Sequence, residues 1–249
     1  MKRQIAAIIV GLTFPVSVFC VDFSLSAGVG GLFGSFFSRY TLTANGIIQG
    51  AENKIDSNQE VNQLNYGFFV FVDATYAEFN VFYQNGAYTY REGAAISALR
   101  SDVDQSGRGW DSALGFSLLG KYPFQISPVF NVFPLLGLEY EISLKQRRTQ
   151  ADGFIYSRND GMREFDKDNK GYTLADWNSF WIKLGGGADF RLAGNFFLRG
   201  ELLYGFRLMT SYETKNLEYM KAMSGDDNPK LGGITSGPSL RISAGYRFF

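Results

Sequence analysis

Apolar and polar residues alternate with a period of two along most of the chain. The final segment shows the pattern most clearly, because it continues to the end of the sequence and leaves no later element to cover its apolar face. One face of this segment carries Leu240, Ile242, Ala244, Tyr246 and Phe248, and the other carries Ser239, Arg241, Ser243, Gly245 and Arg247. The alternation predicts a β-strand with one face suited to hydrocarbon and the other to water.

Seven earlier segments show the same alternation, which gives eight predicted strands. They cover approximately residues 23–37, 66–74, 77–84, 111–118, 136–145, 180–191 and 198–208. In the third of these the pattern changes phase at Tyr88, so we expect a β-bulge near Asn85-Gly86. Four long polar connections, at 44–62, 91–109, 146–177 and 210–237, alternate with three short turns. This rhythm predicts antiparallel hairpins with long loops at one end and short turns at the other.

The predicted apolar face carries no charged residue in any of the eight strands. An Arg or Lys on a lipid-facing strand costs about 2–4 kcal/mol at the bilayer midplane, a penalty that soluble strands do not have. Aromatic residues also gather near strand ends, as at Tyr66, Trp110 and Tyr204. We therefore predict an all-β fold, a transmembrane antiparallel up-and-down β-barrel of eight strands.

The beginning of the chain has a different composition. Lys2 and Arg3 precede an apolar run from Ile5 to Val18, which is too short to span a bilayer as a helix and is typical of a secretory signal peptide. We expect residues 1–20 to be this peptide and residues 21–249 to form the barrel domain. Cys20 is either removed with the peptide or retained as a lipidated amino terminus.

The composition of the chain argues against several kinds of binding and catalysis. Lysine plus arginine equals aspartate plus glutamate at 24 each, so no overall charge favours nucleic acid. The chain has no histidine, which removes the commonest general base and metal ligand. The segment Asp166–Gly171 begins like a calcium loop but places Lys170 and Trp177 where ligands would be needed. We expect no metal, no cofactor and no enzymatic activity.

The opposite face of the strands is rich in charge. The predicted lumen charges comprise seven acidic and seven basic residues, namely Asp73, Glu78, Asp111, Glu139, Glu141, Lys145, Lys183, Asp189, Arg191, Arg199, Glu201, Arg207, Arg241 and Arg247. Side chains nearly fill an eight-stranded barrel, so a mutually neutralising network that plugs the lumen is the first interpretation. A narrow polar path or pocket, with space at Gly185 and Gly187, and a catalytic pair of Glu139 with Glu141 are the alternatives.

The ending Gly245-Tyr246-Arg247-Phe248 resembles the terminal strand signal of bacterial outer-membrane β-barrels, although Phe249 adds one residue after the aromatic that fits the alternation. The whole pattern resembles small eight-stranded barrels of the OmpX, OmpW and OmpA membrane-domain type. The resemblance implies a Gram-negative-type outer membrane, contact with its lipid and lipopolysaccharide, assembly by the barrel insertion machinery through a signal at Tyr246, Phe248 and Phe249, and long loops outside the cell.

The resemblance does not fix an activity, because one fold hosts many functions. We expect a non-enzymatic membrane anchor whose loops 44–62, 91–109, 146–177 and 210–237 bind an extracellular ligand. Arg147 and Arg148 are also candidates for binding lipopolysaccharide phosphates. The alternatives are a narrow channel or lateral conduit for small, including apolar, solutes, a hydrolase or acyltransferase that works without histidine, and a soluble lipocalin-like barrel with its apolar face inside.

The assignment of inside and outside gives a first testable prediction. Leu138→Arg should block assembly or strongly destabilise the barrel, because it places a charge in lipid, whereas Glu139→Gln should leave folding largely intact. Heat-modifiable migration in gel electrophoresis measures the folded fraction of each variant. Equal damage from both substitutions would show that the two faces are misassigned.

Overall fold

A computed structural model describes residues 24–48, 51–96, 101–150, 155–157, 174–208, 210–224, 226 and 228–248. The predicted signal peptide at 1–20, the calcium-loop-like segment at 166–171 and Phe249 lie outside these described residues.

Antiparallel strands make up nearly all of the described chain. They are β1 (Leu25–Ile48), β2 (Ala51–Ala74), β3 (Ala77–Ile96), β4 (Ser101–Lys121), β5 (Phe124–Ser127), β6 (Phe130–Gln150), β7 (Ile155–Ser157), β8 (Ser179–Arg191), β9 (Phe196–Arg207) and β10 (Lys230–Arg247). Eight of them form a closed wall in the order β4, β3, β2, β1, β10, β9, β8, β6, and pairing of β6 with β4 completes the ring. The short strands β5 and β7 pair with β6 near its two ends. The predicted eight-stranded antiparallel barrel is confirmed.

The two described helices both lie on the long-connection side. A 3-10 helix, Leu174–Trp177, precedes β8, and α1, Ser211–Ser224, lies between β9 and β10. Glu213 caps the start of α1, since its carboxylate accepts a hydrogen bond from the Thr210 backbone N–H, which is one of the two bonds of a capping box. Among the described residues, no helix has the length and apolar character needed to cross a membrane.

The outer surface of the wall is apolar. Phe68 and Leu202 are each 62% exposed, and Val29, Leu138 and Ile242 are exposed as well. Soluble proteins bury most such residues, so an exposed apolar surface on every wall strand calls for a hydrocarbon environment. The same pattern excludes a lipocalin-like barrel with its apolar face inside.

Aromatic side chains border this apolar surface at both ends. At the short-turn end, Tyr76 stacks on Tyr122 with ring centroids 5.8 Å apart, and Tyr246 lies edge-on to Phe196 and Phe248 at 5.0 and 5.4 Å. At the other end, the exposed aromatics include Trp110 and Tyr204. Two such girdles are typical of barrels that cross a bilayer, where aromatic rings lie at the headgroup level.

Two of the predicted long loops are strands. The segment 44–62 continues the β1–β2 ladder, which stays in register from Leu25–Ala74 to Ile48–Ala51, and 91–109 is largely occupied by β3 and β4. A membrane strand needs about 9–11 residues to cross, so the 24 residues of β1 and β2 extend well beyond the bilayer. The sequence did not indicate these projecting parts of the strands, called arms below, because both of their faces are polar. The strands β8 and β9, with 13 and 12 residues, barely exceed the crossing length.

The bulge expected near Asn85-Gly86 is absent, because β3 pairs with β2 and β4 without a register shift. Tyr88 stays in phase and is buried in the lumen. The inward residues of β3 change from polar to aromatic at this point, and in the sequence this change resembles a change of phase. The irregularity lies between β4 and β6, where Ala113 pairs with Ser143 and Ser112 with Lys145. The extra residue on β6 turns Lys145 to the outside, where it is exposed, and not into the lumen as predicted.

Phenylalanine rings fill much of the lumen, and five of them lie over a glycine of a neighbouring strand. A Cβ added at Gly28 would lie 2.5 Å from the Phe71 ring, and one at Gly115 would lie 1.9 Å from the Phe82 ring. The same close approach occurs at Gly30 with Phe69, at Gly187 with Phe133 and at Gly245 with Phe197. These glycines provide the space that the rings need, so the narrow barrel is packed by aromatic groups as well as by charges.

Candidate functional site: a buried ionic network in the barrel lumen

Arg199 of β9 is the centre of the lumen and is only 2% exposed. Its guanidinium binds Asp189 of β8 in a bidentate manner, with Nε to Oδ1 at 2.6 Å and Nη2 to Oδ2 at 2.9 Å. Nη2 also donates to Asp73 of β2 at 2.6 Å, and Nη1 donates to Glu78 of β3. Lys121, at the end of β4, forms a further ion pair with Asp73. Three wall strands, β2, β3 and β8, therefore bind one arginine of a fourth through their carboxylates, and β4 joins the cluster through Lys121.

Aromatic faces surround the same guanidinium. Its central carbon lies 4.9 Å from the ring centroid of Phe71 and 5.1 Å from those of Phe133 and Phe197. Cation–π attraction is stronger where water is excluded, so these rings stabilise the charge as well as filling space. The carboxylates and the rings together satisfy a cation that would otherwise be costly to bury.

Glu139 of β6 organises a second layer. Its carboxylate accepts from Lys183 Nζ at 2.9 Å and from Arg241 Nη2 at 2.7 Å. Lys183 also lies over the Trp181 ring, and Arg241 lies near the rings of Phe69 and Phe82. Because Glu139 neutralises two cations, Glu139→Gln should cost more stability than the sequence alone indicated, although the amide oxygen can still accept a hydrogen bond.

Glu141 has a different set of partners from Glu139 and forms no direct ion pair with any residue that the structure describes. It accepts from Gln84 Nε2 at 2.8 Å, Ser179 Oγ at 2.7 Å and Trp181 Nε1 at 3.0 Å. Asp111 likewise receives both of its 2.9 Å hydrogen bonds from Gln63 Nε2. Neutral donors therefore hold both carboxylates, at the wall of a cavity of about 100 Å³ in the upper lumen.

Arg207 and Glu213 connect this cavity to α1. Arg207 Nη2 donates to Tyr40 Oη at 2.8 Å and to Glu213 Oε1 at 2.7 Å. Glu213 thus caps its own helix with one oxygen and holds the barrel wall with the other. Lys215 of α1 forms an ion pair with Asp176 of the 3-10 helix at 2.7 Å. These contacts fix α1 at the mouth of the cavity, on the side where β8 and β9 are short.

The β1–β2 hairpin is connected to the region after α1 through Asp226. The Asp226 carboxylate accepts from the backbone N–H of Asn45 at 2.7 Å and of Asn228 at 2.9 Å. These two hydrogen bonds hold the pKa of the Asp226 carboxyl below its usual value.

The remaining predicted lumen charges lie nearer the barrel ends or outside the network. Glu201 is buried close to Glu78 and Arg241. Arg191 is exposed and Arg247 is partly buried, and both line a crevice of about 140 Å³ at the short-turn end. Arg191 is the last residue of β8, paired with Phe197 of β9 at the short-turn end of the wall. Lys145 lies on the outer face, as described above. Tyr246 and Phe248 of the predicted assembly signal are on the apolar exterior.

Sequence reasoning missed Lys121, which lies at the end of β4 and was assigned to a connection. It also missed the lumen aromatics, since alternation alone assigned polar residues to the inside. A signal for the aromatics was present, because five of the inward phenylalanines each face an inward glycine on an adjacent strand. The sequence Thr210-Ser-Tyr-Glu213 was likewise a signal for α1. In the part of the chain that the structure describes, no group of three or more Cys, Asp or Glu side chains is arranged to hold a metal ion.

Arg199→Met tests the central cluster. Methionine leaves Asp73, Glu78 and Asp189 buried without the guanidinium that binds all three, so we expect a loss of about 3–5 kcal/mol in the free energy of unfolding. Urea titration of the barrel folded into lipid vesicles measures it. The matched control, Arg191→Met, changes an exposed arginine and should have an effect within about 0.5 kcal/mol. Equal urea midpoints for the two variants would contradict a stabilising role for the cluster.

Comparisons with known proteins return structural matches only. No protein-family model matches the chain, and no characterised protein matches its sequence. Among solved structures, Ail of Yersinia pestis is 14% identical, with 92% of this chain and 100% of Ail covered at a TM-score of 0.31. Neisserial surface protein A is 12% identical, with 87% and 95% covered at 0.33, and OprG of Pseudomonas aeruginosa is 14% identical, with 90% and 97% covered at 0.33. The closed wall, apolar outside and ionic inside, makes this chain a small eight-stranded transmembrane β-barrel.

Proposed function

We propose that this protein is a non-enzymatic outer-membrane anchor with a closed lumen, and that its long hairpins and α1 form an extracellular interaction surface. The observation that carries the proposal is the layer of the lumen formed by Arg199 with Asp73, Glu78 and Asp189, called here the Arg199 layer. The side chains of Arg199 and Glu78 are 1% and 0% exposed, so water has almost no contact with the network at this level of the axis. A layer of ion pairs and phenyl rings supports a plug more than a pore.

The carboxylates of the network also favour a structural role over catalysis. A general acid and base need side chains that are available to a substrate. Glu139 is engaged by two cations, and Glu141 by three neutral donors. The pair that the sequence suggested as catalytic is therefore fully used in holding the wall together.

A narrow channel is the second candidate, and the cavity below α1 is the observation that favours it. This cavity occupies the upper lumen, and α1 is held at its mouth mainly by Glu213 and Lys215. A smaller space of about 30 Å³, lined by Glu139, Lys183 and Arg241, continues from it toward the Arg199 layer. A path along the axis would need the Arg199 layer to open.

Conductance in a planar bilayer separates these candidates. We expect no reproducible unitary conductance from the purified protein, because Arg199 and its partners close the axis. Recovery of the heat-modifiable folded form from the same membranes confirms that the protein was inserted. Unitary events of constant size, seen with the wild type and changed in Arg241→Gln, would instead support the channel.

Cysteine labelling on intact cells tests the extracellular surface. Asn58 is exposed on the β1–β2 hairpin and Gln125 is exposed beside the short turns. We expect a membrane-impermeant maleimide to label Asn58→Cys on whole cells and to label Gln125→Cys only after the cells are broken. The parent chain, whose one cysteine is Cys20, provides the background. The reverse pattern would show that the hairpins face the periplasm.

A further inference from the structure

A groove of about 710 Å³ crosses the outer face of the wall at the level where the apolar surface ends. It runs perpendicular to the strands, along a row of directly paired residues in which Ser35 faces Leu64, Leu64 faces Ala87, and Ala87 faces Trp110. Small side chains form its floor, while Leu64 and Trp110 project from the wall. The groove is therefore a membrane-facing depression with aromatic and aliphatic borders.

Basic residues follow the edge of this groove on the side away from the bilayer. Arg108 lines it directly, two positions beyond Trp110 on β4. Arg39 lies two positions beyond Phe37 on β1, and Arg147 of β6 is paired with Trp110. The side chains of Arg39, Arg91, Arg108, Lys145 and Arg147 are all exposed.

The charge of this edge is strongly one-sided. In the described outward rows that contain these five cations, Glu60 is the one carboxylate, and it lies between Arg39 and Arg91. Glu60 forms an ion pair with Arg39 at 3.3 Å, where both side chains are well exposed. Screening by water weakens such a pair, so the edge keeps a net positive field.

The position of the basic edge relative to the apolar face determines which anions can reach it. The cations begin within two residues of Phe37 and Trp110, which are exposed on the apolar face at its long-hairpin end. In a bilayer, rings at this level mark the depth of the lipid headgroups. Below them the outer face continues with Phe33, Tyr66 and Phe68, which are exposed on the apolar wall.

We propose that this groove and its basic edge bind a phosphorylated glycolipid of the outer leaflet, with the phosphates on the arginines and the acyl chains against the apolar wall. Guanidinium groups match phosphate oxygens in a bidentate geometry, and the adjacent hydrocarbon surface distinguishes a lipid from a free anion. The inference rests on the proposed orientation, in which the hairpins lie outside the cell.

Native mass spectrometry of the folded barrel in neutral detergent tests the proposal, with diphosphoryl lipid A as the probe. We expect the triple variant Arg39→Gln/Arg108→Gln/Arg147→Gln to raise the dissociation constant at least about tenfold, since it removes three of the five cations. Arg108→Gln alone should weaken binding, whereas the matched control Arg191→Gln, at the opposite end, should not. Lipid A without phosphates should bind no better to the wild type than to the triple variant.

Several outcomes would overturn the proposal. The first is equal affinity of wild type and triple variant for diphosphoryl lipid A. The second is binding of lipid A without phosphates to the wild type as tightly as diphosphoryl lipid A. The third is displacement of the lipid by inorganic phosphate at millimolar concentration, which would indicate a free-anion site. Heat-modifiable migration verifies that each variant is folded. Binding in detergent depends neither on conductance nor on which end faces the cell exterior, so its failure is distinguishable from failure of the proposed anchor function.

Discussion

The guanidinium of Arg199 must be neutralised in a place that water hardly reaches, and the inner half of the barrel is arranged around this requirement. Asp73, Glu78 and Asp189 approach it from three different strands, and three phenyl rings cover its remaining faces. A buried ion pair repays its desolvation only when the geometry is good and the remaining donors are satisfied. Here the guanidinium forms four hydrogen bonds to three carboxylates, which meets that condition.

The glycines of the wall make this arrangement compatible with a narrow barrel. Eight strands enclose a lumen that is only wide enough for side chains. Phe71 and Phe197 can lie flat beside Arg199 because Gly28 and Gly245 have no Cβ to meet their rings. The wall thus combines two surfaces with opposite requirements, since the exterior must exclude charge and the interior must neutralise the guanidinium at its centre.

The exterior could be predicted from the sequence and much of the interior could not. A period of two assigns faces wherever one face is consistently apolar, so the outward positions predicted for the last strand, such as Leu240 and Ile242, were correct. The same rule fails where both faces are polar, as in the arms at 44–62, and where an inward residue is aromatic, as at Tyr88. Partners of Arg199 lie 121 and 126 residues away along the chain, and no local pattern carries that information. The bulge that turns Lys145 outward depends on pairing between β4 and β6 and is likewise not local.

The continuous ladder of β1 and β2 has a mechanical consequence. The two strands remain hydrogen-bonded from the short-turn end of the wall to Ile48 and Ala51, with no hinge between the membrane part and the projecting part. A partner that binds near the tip would meet a rigid, preorganised hairpin and not a flexible loop. Little conformational entropy would then be lost on attachment, and a force on the tip would pass directly into the membrane-embedded cylinder.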